Sequence, residues 1–203
     1  TIAEVLRDEG YATFAVGKWH LTAMENASAA GPYDQWPCQR GFDRYYGFLE
    51  GETDQFHPEL VYDNHMVEPP GGPDDGYHLS EDLVDKAIEF VHDTVSIRPD
   101  RPYFMYLSFG AMHAPHQAPP EYLAKWRGKF DDGWDVYRRE VFERQCDLGL
   151  IPDGAELSVR DPDVEPWDSL SDDAKRMYAR QMETYAGFLS QTDHHLGRVL
   201  DFI

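Results

Sequence analysis

Cysteine is nearly absent, with only Cys38 and Cys146 among 203 residues. No Cys-x-x-Cys pair occurs and neither thiol has a zinc-type neighbourhood, so the chain is not a disulfide scaffold. A single bridge is permitted, but nothing in the sequence calls for it. Basic residues are also scarce: 18 Lys and Arg stand against 38 Asp and Glu, for a net charge of -20. Such a surface repels polyphosphate, so DNA and RNA are not expected partners, and long polyanionic substrates are disfavoured. A small anion stays admissible where a few cations converge in a pocket. No window approaches 18 consecutive apolar residues, so no transmembrane helix is expected. Internal repeats and low-complexity tracts are missing as well.

The composition, 41% hydrophobic and 28% charged, is that of a globular chain, and the length fits one domain or a large part of one. Thr1 opens directly on a helix signal, and Ile203 closes within an apolar helical pattern. Both ends read as cut. The expectation is therefore one partial domain over 1–203, truncated at each end.

"TIAEVLRDEG" predicts a short helix, with Thr1 and Glu4 as a capping box, Ile2, Val5 and Leu6 as its apolar face and Gly10 as its stop. "YATFAVG" predicts a strand with Phe14 and Val16 on one face. Residues 31–77 are rich in Gly, Pro, Asp and aromatics and predict long structured loops with short strands at most. "HLSEDLVDKAIEFVHD", 78–93, predicts a helix capped by Ser80. "RPYFMYLSFG" is apolar without alternation, which predicts a central parallel strand covered on both sides. Helical pieces are expected near 121–127 and 134–148. After a loop, Ser171 opens a long helix whose stripe would be Ala174, Met177, Tyr178, Met182, Tyr185, Leu189, Leu196 and Leu200. Helix and strand in this order give an α/β architecture.

In an open α/β sheet, ligands bind beyond the carboxyl ends of the strands. Two clusters lie just there: Lys18 and His20 after the first strand, His113 and His116 after the strand "YFMYLSF". If 18–20 stays extended, Lys18 and His20 point the same way, about 7 Å apart. A lysine is a compact charge with three donors, and a histidine moves protons near neutral pH, so the set suits a small anion. Composition alone leaves the ordinary readings open: a lysine at a solvated strand end, hydrogen-bonded structural histidines, an exposed His116. His194 and His195 are adjacent on a helix and face different ways, which argues against a metal pair. The Tyr45–Tyr46 pair reads as packing.

"GYATFAVGKWHL", "RGFDRYYGF", "PYFMYLSFGAMHAPHQAPPEYLAKWRGKF" and "METYAGFLSQTDHHLGRVLDFI", in this order, resemble the sulfatase family of the bacterial arylsulfatase type. The resemblance covers essentially the whole chain. It implies part of an alkaline-phosphatase-like α/β/α sandwich that hydrolyses small sulfate esters. In that family a cysteine or serine in Cys/Ser-x-Pro-x-Arg becomes formylglycine, whose hydrate attacks sulfur, and a calcium ion polarises the sulfate. By position, Lys18 matches the lysine that bridges sulfate and formylglycine. His20 matches the histidine on the formylglycine hydroxyl, which acts as a base. His113 matches the histidine that binds sulfate and protonates the leaving oxygen. Neither Cys38 (followed by Gln39, Arg40 and Gly41) nor Cys146 (followed by Asp147, Leu148 and Gly149) fits the formylglycine motif, and the family's calcium ligands have no counterparts here. The resemblance therefore implies that formylglycine and the Ca2+ ligands lie outside these residues, with no metal ligand within them.

Two other readings stand beside this one: a phosphonate or phosphate ester hydrolase of the same superfamily, and a non-catalytic protein that keeps the fold. On any of them an excised 203-residue segment is expected to be marginal in solution and inactive, because it exposes strand edges. A sharp two-state thermal transition of that segment would contradict the expectation.

Overall fold

The computed structural model describes residues Thr1 to Ile203, which divide into two compact units: Thr1–Pro119 with Phe188–Ile203, and Pro120–Gly187.

The first unit is built on one sheet. Its strands are β1 (Ala12–Lys18), β2 (Arg44–Phe48), β3 (Leu60–Tyr62), β4 (His65–Val67) and β5 (Tyr103–Ser108), in the order β4-β3-β2-β1-β5. β1 pairs in parallel with both β2 and β5, whereas β2–β3 and β3–β4 are antiparallel. Helix α2 (Leu79–Ile97) covers one face, laying Leu79, Leu83, Ala87 and Phe90 against Phe14, Val16, Tyr46 and Phe48. Helix α1 (Ile2–Asp8) joins the opposite core through Ala3, with Ala15, Trp19, Trp36, Phe42 and Tyr45. Each buried Leu or Phe is worth about 2 kcal/mol of transfer free energy. β1 is buried on both faces over Ala12–Gly17, which explains its weak polar alternation.

β5 departs from expectation. It is an edge strand of this sheet, paired only with β1, and its residues are largely half-buried. Tyr103, Met105 and Leu107 pack against one core and Phe104 against the other. An apolar run without alternation reports two covered faces; it carries no information about how many strands lie alongside.

The helices were legible in position but not always in orientation. The Thr1–Glu4 capping box forms, yet α1 buries Ala3 and leaves Ile2 and Val5 exposed. Helix α5 (Asp172–Phe202) starts after Ser171, whose hydroxyl accepts from the Ala174 amide at 3.3 Å. Its buried positions are Ala179, Glu183, Ala186, Phe188, Gln191, Thr192, His195 and Val199, while Met177, Tyr178, Tyr185, Leu189, Leu196 and Leu200 of the expected stripe are exposed. The buried face of α5 thus carries polar and aromatic side chains beside its alanines.

The second unit contains α3 (Pro120–Trp126), α4 (Gly133–Asp147) and the first part of α5, close to the expected helical pieces. Phe130, Trp167, Ala179 and Ala186 form its core. Trp134 meets Trp167 edge-on at 4.8 Å.

Two glycines let the parallel strands close up. Gly17 has φ +103°, and a Cβ there would lie 1.8 Å from the Ser108 carbonyl oxygen on β5. A Cβ on Gly47 would lie 2.0 Å from the Gly17 carbonyl oxygen. Gly17→Ala is expected to cost several kcal/mol through overpacking and left-handed strain. Chemical denaturation checks this, and a wild-type midpoint would contradict it.

The N-cap of α2 is His78 rather than Ser80. His78 Nδ1 accepts from the Ser80 amide at 3.1 Å, and its Nε2 donates to the Gln117 carbonyl at 3.2 Å. Burial lowers the His78 pKa to about 4, against the opposing pull of the Gln117 carbonyl and Asp54. His195 is also lowered to about 4, by burial and then by Arg198, His194 and His78, with Asp85 opposing. Both folded values lie below the ordinary imidazole value. The stability they contribute is complete above about pH 6.5 and is lost as pH falls toward 4. Melting temperature should therefore begin to drop already between pH 6.5 and 5, ahead of most carboxylate titration. His195→Gln should flatten that part of the profile; an unchanged slope would contradict the assignment.

Candidate active site

β1, β2 and β5 run parallel, so the segments that follow them emerge at one edge of the sheet. Lys18 ends β1 in register with Phe48, the last residue of β2. The Tyr45 hydroxyl donates to the Gly17 carbonyl at 3.0 Å, fixing the backbone just before Lys18. Tyr45 is thus a backbone anchor as well as a packing residue. The Tyr46 hydroxyl donates to Asp82 at 2.6 Å.

Trp19 anchors the other side of Lys18. Its amide donates to the Phe48 carbonyl at 3.0 Å, its indole to the Gln35 carbonyl at 2.8 Å, and its ring meets Phe42 edge-on. His20 donates its amide to the Leu49 carbonyl at 2.9 Å but has φ +55°. The run 18–20 is therefore not extended, as the simple strand argument supposed: the chain turns at His20 while its amide still follows β2. The Lys18 side chain is half-buried and has no hydrogen bond or ion pair. The His20 ring lies beside Gly51 in the loop after β2, where a Cβ would sit 2.8 Å from its Cε1 and Nε2.

His113 lies in the loop after β5, its amide held by the Gly110 carbonyl at 3.0 Å. Its ring is exposed, with Nδ1 2.9 Å from the Ala114 carbonyl and 3.3 Å from the Glu52 carboxylate. Glu52 is the direct neighbour of Gly51, so one loop touches the rings of both His20 and His113. His116, three residues on, is exposed. Gln117 joins the loops after β2 and β5: its Nε2 donates to Asp54 at 2.7 Å and its Oε1 accepts from the Gln55 amide at 2.7 Å. Burial pushes the Asp54 carboxyl up, but hydrogen bonds from Gln117, Phe56 and His57 outweigh it and hold the group below its ordinary range.

A cavity of about 350 Å³ adjoins this edge. Phe48, Leu49 and Pro115 line it together with Glu50, Glu52 and Glu59. Its charge opposes a strongly anionic occupant. Lys18, His20 and His113 do not line it; Phe48, the register partner of Lys18, does.

The chain's own residues do not make a metal centre: no group of three or more His, Cys, Asp or Glu is placed to hold an ion. Neither cysteine is set up as a nucleophile. Both are free, and Cys38 is pushed up to about 12 by burial and by Asp63 beside it. His195 contacts Arg198 at 3.1 Å rather than a ligand-type partner.

Sequence patterns missed Glu52, Gln117 and the anchoring role of Tyr45. Glu52 sits in a polar loop 61 positions before His113, and no local spacing links the two.

The sequence model of the Sulfatase family matches residues 1–203. An uncharacterized sulfatase of Schizosaccharomyces pombe is 31% identical over 100% of this chain and 37% of its own length. An arylsulfatase of Klebsiella aerogenes is 29% identical over 99% of this chain and 42% of its own. The chain thus spans less than half the length of these relatives. The structure of BT4656 in complex with its substrate D-glucosamine-2-N,6-O-disulfate shares the fold at TM-score 0.57 and 19% identity, covering 100% of this chain and 46% of that one. The fold is the alkaline-phosphatase-like α/β fold of its structural neighbours, and the chain belongs to the sulfatase family.

Proposed function

We propose that these residues form one wall of the active site of a sulfuric ester hydrolase. The observation that carries this reading is Lys18: an unpaired, half-buried ammonium at the carboxyl edge of three parallel strands, in a chain of net charge -20. His20 and His113 stand at the same edge and are joined through one loop.

In this reading the Lys18 ammonium holds a sulfate oxygen and favours the charge that builds on it as the sulfur–oxygen bond breaks. His113 gives a proton to the leaving alcohol oxygen through Nε2. His20 is assigned the base that accepts a proton in the later collapse step. In this reading formylglycine and calcium would supply nucleophile and Lewis acid, held by residues outside these 203 positions. The acidic cavity opposes a second sulfate group near the site, so a monosulfate of a neutral alcohol is the better substrate, unlike the disulfated sugar bound by BT4656.

The test uses the full-length polypeptide that carries these residues. Lys18→Ala on an aryl sulfate and His113→Ala on an alkyl sulfate are each expected to lower kcat/KM about a hundredfold. Full activity in both variants would remove the assignment. A higher kcat/KM on the matched aryl phosphonate would transfer the reading from sulfate to phosphonate esters.

A further inference from the structure

The loop after β2 does more than close the sheet edge. Gly51 leaves room for the His20 imidazole, and the next residue, Glu52, reaches His113. The loop is held on its far side as well: Asp54 accepts from Gln117, Gln117 accepts from the Gln55 amide, and the Gln117 carbonyl accepts from the buried His78. Glu52 is therefore presented from a clamped backbone, although its side chain is itself exposed.

From this geometry we infer that Glu52 is a positioning residue for His113, holding Nδ1 so that Nε2 is the nitrogen presented to the leaving oxygen. The chemistry of the two contacts requires this polarity. Nδ1 faces a carbonyl at 2.9 Å and a carboxylate at 3.3 Å, and both groups only accept. Nδ1 therefore carries a proton in either charge state of the ring, and Nε2 is the nitrogen left to exchange one. The Ala114 carbonyl comes from the adjoining residue and moves with the loop. Glu52 comes from another strand connection and so fixes the ring against the β2 side of the site.

The inference rests on the proposed role of His113, and it has its own readouts. In the full-length protein, Glu52→Ala is expected to lower kcat about tenfold on an alkyl sulfate, whose leaving oxygen needs a proton. It should change kcat less than twofold on 4-nitrophenyl sulfate, whose leaving group does not. Removing a carboxylate that lines the cavity should shift KM alike on both esters, so kcat is the quantity compared. Glu52→Gln, which keeps an oxygen beside Nδ1, should restore part of the loss. In a His113→Ala background, Glu52→Ala should add nothing. Equal losses on the two esters, no loss on either, or full additivity with His113→Ala would each overturn the inference. The imidazole 15N shifts of His113 provide a measurement independent of the substrate. They should show a protonated Nδ1 in the wild type, even if the ester hydrolysed proves to be a phosphonate. A bare Nδ1 would overturn the inference while leaving the hydrolase reading intact.

Discussion

The close approach of β1 to β5 at Gly17 is the contact on which the candidate site depends. The Ser108 carbonyl occupies the space a side chain would need, so β1 lies against β5 up to its last turn before Lys18. On the other side Gly47 admits the Gly17 carbonyl, and Tyr45 donates a hydrogen bond to the same oxygen. Three parallel strands thereby end in register. The segments that leave them, carrying Lys18 and His20, Gly51 and Glu52, and His113, meet without any long connection between them. A larger residue at either glycine would separate the strands at the level where the chemistry begins.

Electrostatics then make Lys18 conspicuous. Several of the chain's arginines are matched by carboxylates. Arg44 is paired with Asp63, Arg101 with Asp43, Arg198 with Asp85, and Arg160 with Asp135. Such exposed pairs contribute little to stability. Lys18 has no partner, despite Glu50, Glu52 and Glu59 lining the adjoining cavity.

Much of the fold could be read locally. The Thr1 capping box, the apolar β1, the α2 stripe with Leu83, Ala87 and Val91, and the start of α5 after Ser171 all follow from spacing and end signals. What could not be read was which surface each element turns inward. α5 buries Ala179, Ala186, Phe188, Gln191 and His195 and exposes Leu189 and Leu196, so its inward face mixes small, aromatic and polar side chains that an apolar stripe does not pick out. β5 looked central and is an edge strand here, because an apolar run records covered faces and says nothing about neighbouring strands. The cap of α2 fell on His78, since a buried imidazole held by Gln117 can accept where a serine was expected to.

The sequence by itself determined the α/β class, the family, and the placing of Lys18, His20 and His113 just beyond strands, since these depend on short-range periodicity and order along the chain. Only the tertiary structure decided that His20 turns through a left-handed backbone, that Tyr45 holds the Gly17 carbonyl, and that Glu52 meets His113 across 61 positions of sequence. Those contacts arise from strand register and loop closure. A residue's own neighbours along the chain do not encode which distant carboxylate will face it once the sheet has formed.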